Sequence, residues 1–418
     1  MQISKQKSFS AVINFAIGFF FLSLLATKGA YNWMPFFCGV LGIGYSLFLL
    51  TRKTKLAFSK NDKWIICCYV FYFAVFLISF FIHKGNVREL DNPSRALVFI
   101  PVLILLLQIR LLPQVLIYCI PLGAIIAGGI AIYDRFVSQV WLAFSPRIMH
   151  IQGGDIAMSL GMFSLVLGFY SLEQKMQKTA LLCFSAVIFG IIGSLLSGAR
   201  GGWIGLPLFI IFSLWFYRHY LSKKFFIGAI SIFILAGIGA AQTSEMRVME
   251  RFNQAKYDIT SYLSGKNTST SLGARFDMWK GAVLMIKEKP ILGWGVKGYQ
   301  EKQTQQVSEG TISEYAGTFK HAHNQYLDVL SKYGLLGILA LLGVFILPLR
   351  MFIQGLKTAG NSTVKMTAIL GIMHIISAMT YCLSQSFFNH NSGSIFYFFL
   401  VIVFYAMMRT EQQRAKHE

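Results

Sequence analysis

Two arginines and a histidine, far apart in the chain, are the residue types that an anionic leaving group and an incoming nucleophile need. Arg200 stands in Ser197-Gly198-Ala199-Arg200-Gly201-Gly202-Trp203, where glycines on both sides let a bulky ligand approach the backbone. Arg275 stands in Thr270-Ser271-Leu272-Gly273-Ala274-Arg275, in the expected first turn of a helix, where free N–H groups and the dipole already attract an anion. A guanidinium there is mildly unfavourable for the helix alone, and an anionic ligand would offset this. His323 opens His323-Asn324-Gln325-Tyr326-Leu327-Asp328. An imidazole titrates near neutrality and can take the proton of a hydroxyl. His321 offers the same group two residues earlier. Each also has a plainer reading. Arg200 fits an interfacial arginine reaching headgroups, Arg275 a solvated surface residue, and either histidine a structural one. Arg95, Asp155 and Asn389-His390-Asn391 read as interfacial polar residues. His374, in the middle of an apolar run, reads as an interhelical hydrogen bond.

The elements that must position these groups are membrane spans. The chain has 418 residues, 55% hydrophobic and only 13% charged, with a mean hydropathy of +0.57. A soluble domain carries about a quarter charged residues. So much apolar surface implies an all-α polytopic membrane protein whose excess faces lipid. This excludes a cytosolic enzyme, a secreted disulfide scaffold and a DNA-binding domain. Apolar runs long enough to cross a bilayer fall at 11–27, 31–50, 64–82, 96–112, 114–133, 156–172, 180–197, 202–217, 225–241, 334–354, 366–386 and 393–409. Twelve spans are therefore expected, the first uncleaved. The chain divides into residues 1–241 with spans one to nine, a long polar loop 242–333, and residues 334–418 with three spans and a short tail. The six cysteines all lie in apolar stretches, outside that loop, and read as buried thiols rather than disulfides or a zinc site.

Orientation follows from the basic residues. The net charge is +21, which in a membrane protein points to cytoplasmic loops and anionic headgroups rather than to nucleic acid. With the N-terminus in the cytoplasm, the inside segments hold 19 Lys and Arg against 7 in the short outside loops. Both termini are then cytoplasmic, and the long loop faces away from the cytoplasm. In that loop Thr270 or Ser271 caps a helix over about 273–288, with Phe276, Trp279, Val283 and Ile286 as its apolar face. Pro290 ends it, and Gly293, Gly295 and Gly298 follow in a turn. A second helix starts near His323 and runs toward span ten, with Gly334-Leu335-Leu336-Gly337 as a packing and re-entry device. A site on that side has no ATP or nucleotide sugar within reach. The sequence carries no phosphate-binding glycine loop and no metal-spaced cluster of histidines and carboxylates. Any substrate must bring its own leaving group, as a lipid-linked pyrophosphate does. Fixed cations and a base would then suffice.

These residues resemble a known family. A histidine followed by asparagine, nine residues and G-x-x-G is similar to the signature of O-antigen ligases and related bacterial O-oligosaccharyltransferases. His323-Asn324 and Gly334-Leu335-Leu336-Gly337 match it without a gap. Ser271–Arg275 resembles the arginine motif of that family's large periplasmic loop, Arg200 its other essential arginine, and Pro290-Ile291-Leu292-Gly293-Trp294-Gly295 a stretch common to the ligase and polymerase superfamily. The resemblance implies an inverting, metal-independent and cofactor-free glycosyltransferase of the bacterial inner membrane, acting at the periplasmic face. The donor would be a glycan on undecaprenyl pyrophosphate and the acceptor a sugar hydroxyl of lipid A–core oligosaccharide. By the same resemblance Arg200 and Arg275 would clamp the pyrophosphate, and His323 would take or position the acceptor proton. Arg95, His321 and Asn324 would bind substrate. An O-antigen polymerase, joining lipid-linked repeats, is the neighbouring alternative, and the intact histidine motif favours the ligase. A lipid-linked glycan transporter is the third, but paired repeats and midplane charges are missing from the sequence.

Overall fold

The computed structural model describes residues 2–53, 56–220, 248–264 and 269–415, together with residues 228 and 231. The first eight helices are α1 (Gln2–Ser23), α2 (Ala30–Thr51), α3 (Lys60–Ile82), α4 (Ser94–Leu106), α5 (Pro113–Ile132), α6 (His150–Glu173), α7 (Gln177–Ser197) and α8 (Arg200–Tyr217). The long loop contributes α9 (Val248–Leu263), α10 (Ser271–Glu288), α11 (Gly295–Ser308) and the single turn α12 (Glu314–Gly317). The chain returns through α13 (Gln325–Lys357), α14 (Ser362–Ser384) and α15 (Asn391–Arg414). Among the described residues nine helices are long and apolar enough to cross a membrane, and the apolar helices Ser8–Ser23 and Ser94–Leu106 are shorter. They fall on eleven of the expected spans. The span expected at 225–241 lies outside the described residues.

Three helices form the centre. The apolar windows of α6 and α15 are each 94% buried and that of α14 78%, whereas the windows of α2, α3 and α7 are less than half buried. Close packing uses small residues, since no hydrophobic effect draws helices together in lipid. A Cβ on Gly190 of α7 would lie 2.6 Å from the Gly161 Cα of α6, so those two backbones touch. An aromatic layer on α15 fills the middle, with Phe398 and Phe399 fully buried and Phe398 edge-on to Tyr69 of α3. His374 bonds through Nε2 to the Tyr397 carbonyl at 3.0 Å, the interhelical contact its position suggested. Cys67 is exposed on α3 and Cys119 half-buried on α5, so the expectation of uniformly buried thiols fails there. A face turned to lipid reads the same as a core face when polarity is the only clue.

The polar loop folds onto the top of α13. Thr270 caps α10, its hydroxyl accepting from Gly273 N–H at 3.1 Å. The face that α10 buries differs from the expected one. Ala274, Met278, Ala282 and Met285 are buried, and Val283 is 41% exposed. The small residues win because α11 packs close here: Gln306 donates to the Gly281 carbonyl at 3.1 Å, and a Cβ on Gly281 would strike that side chain. In α13 the helical geometry breaks at Gly334, whose φ is 61° and ψ −155°. The 290–295 turn docks into that break. Leu335 N–H donates to the Pro290 carbonyl at 2.8 Å, and Trp294 N–H to the Ser331 carbonyl at 3.0 Å. A Cβ on Gly334 would lie 2.2 Å from the Ile291 carbonyl oxygen, so only glycine fits.

Candidate functional site

The segment 318–324 leads into α13, and Asn324 starts that helix. Its side-chain oxygen accepts from the N–H groups of Tyr326 and Leu327. Its amide donates to the Leu383 carbonyl at 3.2 Å, which ties this loop to the end of α14. His323 adopts a left-handed φ of 47°, rare for a residue with a side chain and a form of local strain that clusters at functional sites. The His321 and His323 rings lie 4.1 Å apart, edge to face, and His323 N–H donates to His321 Nδ1. Between them, Ala322 is held from both sides. Its carbonyl accepts from Trp279 Nε1 of α10 at 2.9 Å, and its N–H donates to Asp328 at 3.2 Å.

Asp328 is the hub of the arrangement. It is 1% exposed and pairs at 2.7 Å with the equally buried Lys332, one turn along α13. Its second oxygen accepts from the Asn389 amide at 2.9 Å. Lys332 also donates to the Lys320 carbonyl at 3.0 Å. The α14–α15 connection is thereby fixed against the histidine loop, and Gln325 adds a bond from Phe388 N–H at 2.8 Å. On the far side of the same connection, Arg95 of α4 donates through Nε to Asn391 at 2.9 Å and stacks over Phe36. Asn92 donates to the Asn389 carbonyl. Arg95 thus meets the site through the 389–391 turn rather than through the histidines.

Electrostatics place Arg275 and His390 in the same group. Burial, then the charges of His321 and Arg275, push His323 down to about 3, partly opposed by Asp328. Burial lowers His321 as well, with Lys332 and Arg275 adding to it and Asp328 opposing it. His390 is pushed down to about 4 by burial and by His321. All three rings are therefore neutral at physiological pH. Among the described residues Nδ1 of His323 is buried without a hydrogen-bond partner.

Arg200 opens α8 two residues after Gly198, which is left-handed at φ 71°. Its side chain lies outside the described residues. The helix end itself is close to the others: a Cβ on Gly201 would meet Ser384 Oγ, next in chain to the Leu383 that binds Asn324. Asp155 of α6 is fully buried against this first turn of α8, 3.4–3.5 Å from where Gly201 or Gly202 would carry a Cβ. Its expected interfacial setting is thus replaced by full burial at the start of a helix. Asp277 is structural, accepting from Ser313 N–H and Tyr262.

The structure brings together Arg275, His321, His323, Asn324 and the α8 N-terminus at one end of the bundle, with Arg95 one turn of chain away. Chemically this is a positive, partly dehydrated site with neutral imidazoles, suited to an anion and to a hydroxyl proton. Sequence reasoning undervalued Asp328, Lys332 and His390. Asp328 and Lys332 did leave a signal, an i,i+4 pair of opposite charge inside an apolar helix.

Comparison with known proteins finds a family match over this part of the chain. The family model described as O-Antigen ligase matches residues 185–342, a stretch that runs from α7 through the histidine loop to the Gly334–Gly337 turn. An "Uncharacterized protein" of Haemophilus influenzae is 42% identical over 401 residues, covering 96% of this chain and 99% of that one. By its residues 185–342 the chain carries the domain of the O-antigen ligase family.

Proposed function

We propose that this membrane protein moves a glycan from undecaprenyl pyrophosphate to a sugar hydroxyl of lipid A–core oligosaccharide, at the periplasmic face and with inversion. The observation that carries the reading is the convergence of Arg275 with three neutral imidazoles, one of which, His323, has a buried Nδ1 with no partner among the described residues. In the proposed step the acceptor oxygen attacks the anomeric carbon as the bond to the pyrophosphate oxygen breaks. Arg275, with Arg200, takes up the charge that develops on the leaving group. The hydroxyl proton passes to His323. Burial and then the charges of His321 and Arg275 depress that imidazole. A bound pyrophosphate would neutralise the arginine and raise the basicity of His323 when a base is needed. His321 and Asn324 hold the loop and Arg95 the rim.

The lipopolysaccharide pattern of a deletion strain tests this reading. Loss of all glycan added to the core supports a ligase. A core bearing a single repeat would instead mean a polymerase, and lipid-linked glycan trapped inside the cell would mean transport.

A further inference from the structure

At the end of the bundle opposite the histidine cluster, three helix ends leave a groove. The start of α3 and the last turns of α13 and α15 line a cavity of about 630 Å³. A second, of about 350 Å³, lies beside it and shares Asn61, Met351 and Gln354 with it, so the two are continuous. The groove is graded along the helix axes. Trp64 and Leu347 lie one turn nearer the middle of the bundle than Lys60 and Met351, and line the smaller cavity. Trp64 is 49% exposed, at the depth where an indole marks a membrane interface.

Charge separates this groove from an ordinary lipid-facing crevice. Lys60 and Arg350 line the smaller cavity, and among the described residues neither cavity is lined by an acidic side chain. Of the carboxylates next in chain to the groove's lining, Glu411 pairs with Arg414, and Asp62 is 2% exposed and already engaged. It accepts from Tyr405 at 2.6 Å, closes the cap of α3 with Ser59, and stands 3.8 Å from Arg409. Among the described residues Lys60 and Arg350 form no ion pair. Two uncompensated cations, the neighbouring Asn61 and Gln354 amides, and an apolar wall suit a phosphodiester that carries an acyl chain.

We propose that this groove holds one anionic glycerophospholipid, its phosphate between Lys60 and Arg350 and a chain along Leu347 and Trp64. The bound lipid joins α3, α13 and α15. The opposite ends of these helices carry His83, the Asn324 cap and Asn391, the first of which reaches the Leu292 carbonyl at 3.3 Å.

Quenching of Trp64 in nanodiscs tests this. The full chain is placed in bilayers containing either dibrominated phosphatidylglycerol or dibrominated phosphatidylcholine, and the Trp64 share is taken as the difference from Trp64→Phe. Trp64 should be quenched more strongly by the anionic lipid. The double variant Lys60→Gln/Arg350→Gln, at two exposed positions, should lose that preference. Soluble glycerol 3-phosphate should leave the quenching unchanged. Equal quenching by both lipids in the wild type, or a preference that survives the double variant, would overturn the site. Displacement by glycerol 3-phosphate would show an aqueous anion site instead and would equally overturn the lipid. Mass spectrometry of the purified chain gives a second reading: retained phosphatidylglycerol should fall in the double variant, and unchanged retention would count against the groove.

Discussion

Removing His323 or Arg275 removes different parts of one proposed step. His323→Ala takes away the proton acceptor, worth about 10²–10⁴ in rate when a base is well placed. Arg275→Ala takes away a fixed cation, worth about 10²–10³. Both variants should insert normally, and glycan transfer in reconstituted membranes should fall by those factors. Arg275→Lys should recover little, because an ammonium does not reproduce the planar fork; transfer near the wild-type level would reduce Arg275 to a general positive charge. The buried imidazoles also set a pH dependence of stability. In the unfolded chain a histidine protonates through about 6.5, whereas His323 stays neutral down to about 3 when folded. As pH falls the unfolded state binds the proton first, so stability is full above about 6.5 and declines toward 3. Thermal unfolding in detergent should be earlier at pH 5 than at pH 7.5, and His323→Gln should narrow the gap. The motif around His323 was legible because its spacing is local. His390 was not, since its place beside His321 depends on a turn some seventy positions along the chain.

At the scale of elements, the site rests on two joints. One is the break at Gly334, where backbone meets backbone. Gly334→Ala must place a Cβ on the Ile291 carbonyl at a left-handed φ, a strain of about 1–3 kcal/mol before any clash is counted. The expected result is a lower yield of folded protein and loss of transfer together. Normal yield and activity would mean that the 290–295 turn does not dock there. The other joint is the Asp328–Lys332 pair. Asp328→Asn leaves a buried ammonium without its partner, a loss of about 3–5 kcal/mol for a broken buried pair. Asp328→Asn with Lys332→Met should regain part of that stability, but it can keep only one of the Ala322 and Asn389 bonds that aim the histidine loop; unfolding midpoints and transfer rates of the two variants separate these effects. Span positions and the α10 cap were legible from hydropathy and from Thr270. The buried face of α10 was not, because Phe276 and Trp279 outrank alanine and glycine on any polarity scale, while close approach to α11 selects the small residues.

For the whole molecule, burial and charge run along different axes. Which helices are central was not readable, since lipid and protein interior look equally apolar to a span. The most buried, α6 and α15, are less hydropathic than the peripheral α3 and α5, but the peripheral α8 is less hydropathic still, so hydropathy does not rank the helices by burial. The lengthwise asymmetry was readable. Lys60, Arg350, Arg409 and Arg414 gather at the end opposite the histidines, the end that the positive-inside bias would put in the cytoplasm under the proposed orientation. This orientation decides the chemistry, since only a site on the other side lacks nucleotide donors and needs a carrier-linked pyrophosphate. A cysteine at Lys297, whose side chain is 76% exposed beside the histidine loop, should react with a membrane-impermeant maleimide in spheroplasts. A cysteine at the exposed Thr358, after the far end of α13, should react only once the membrane is opened. The reverse pattern would put the histidines among cytoplasmic nucleotides and remove the reason for a lipid pyrophosphate donor, even with every side chain in its present place.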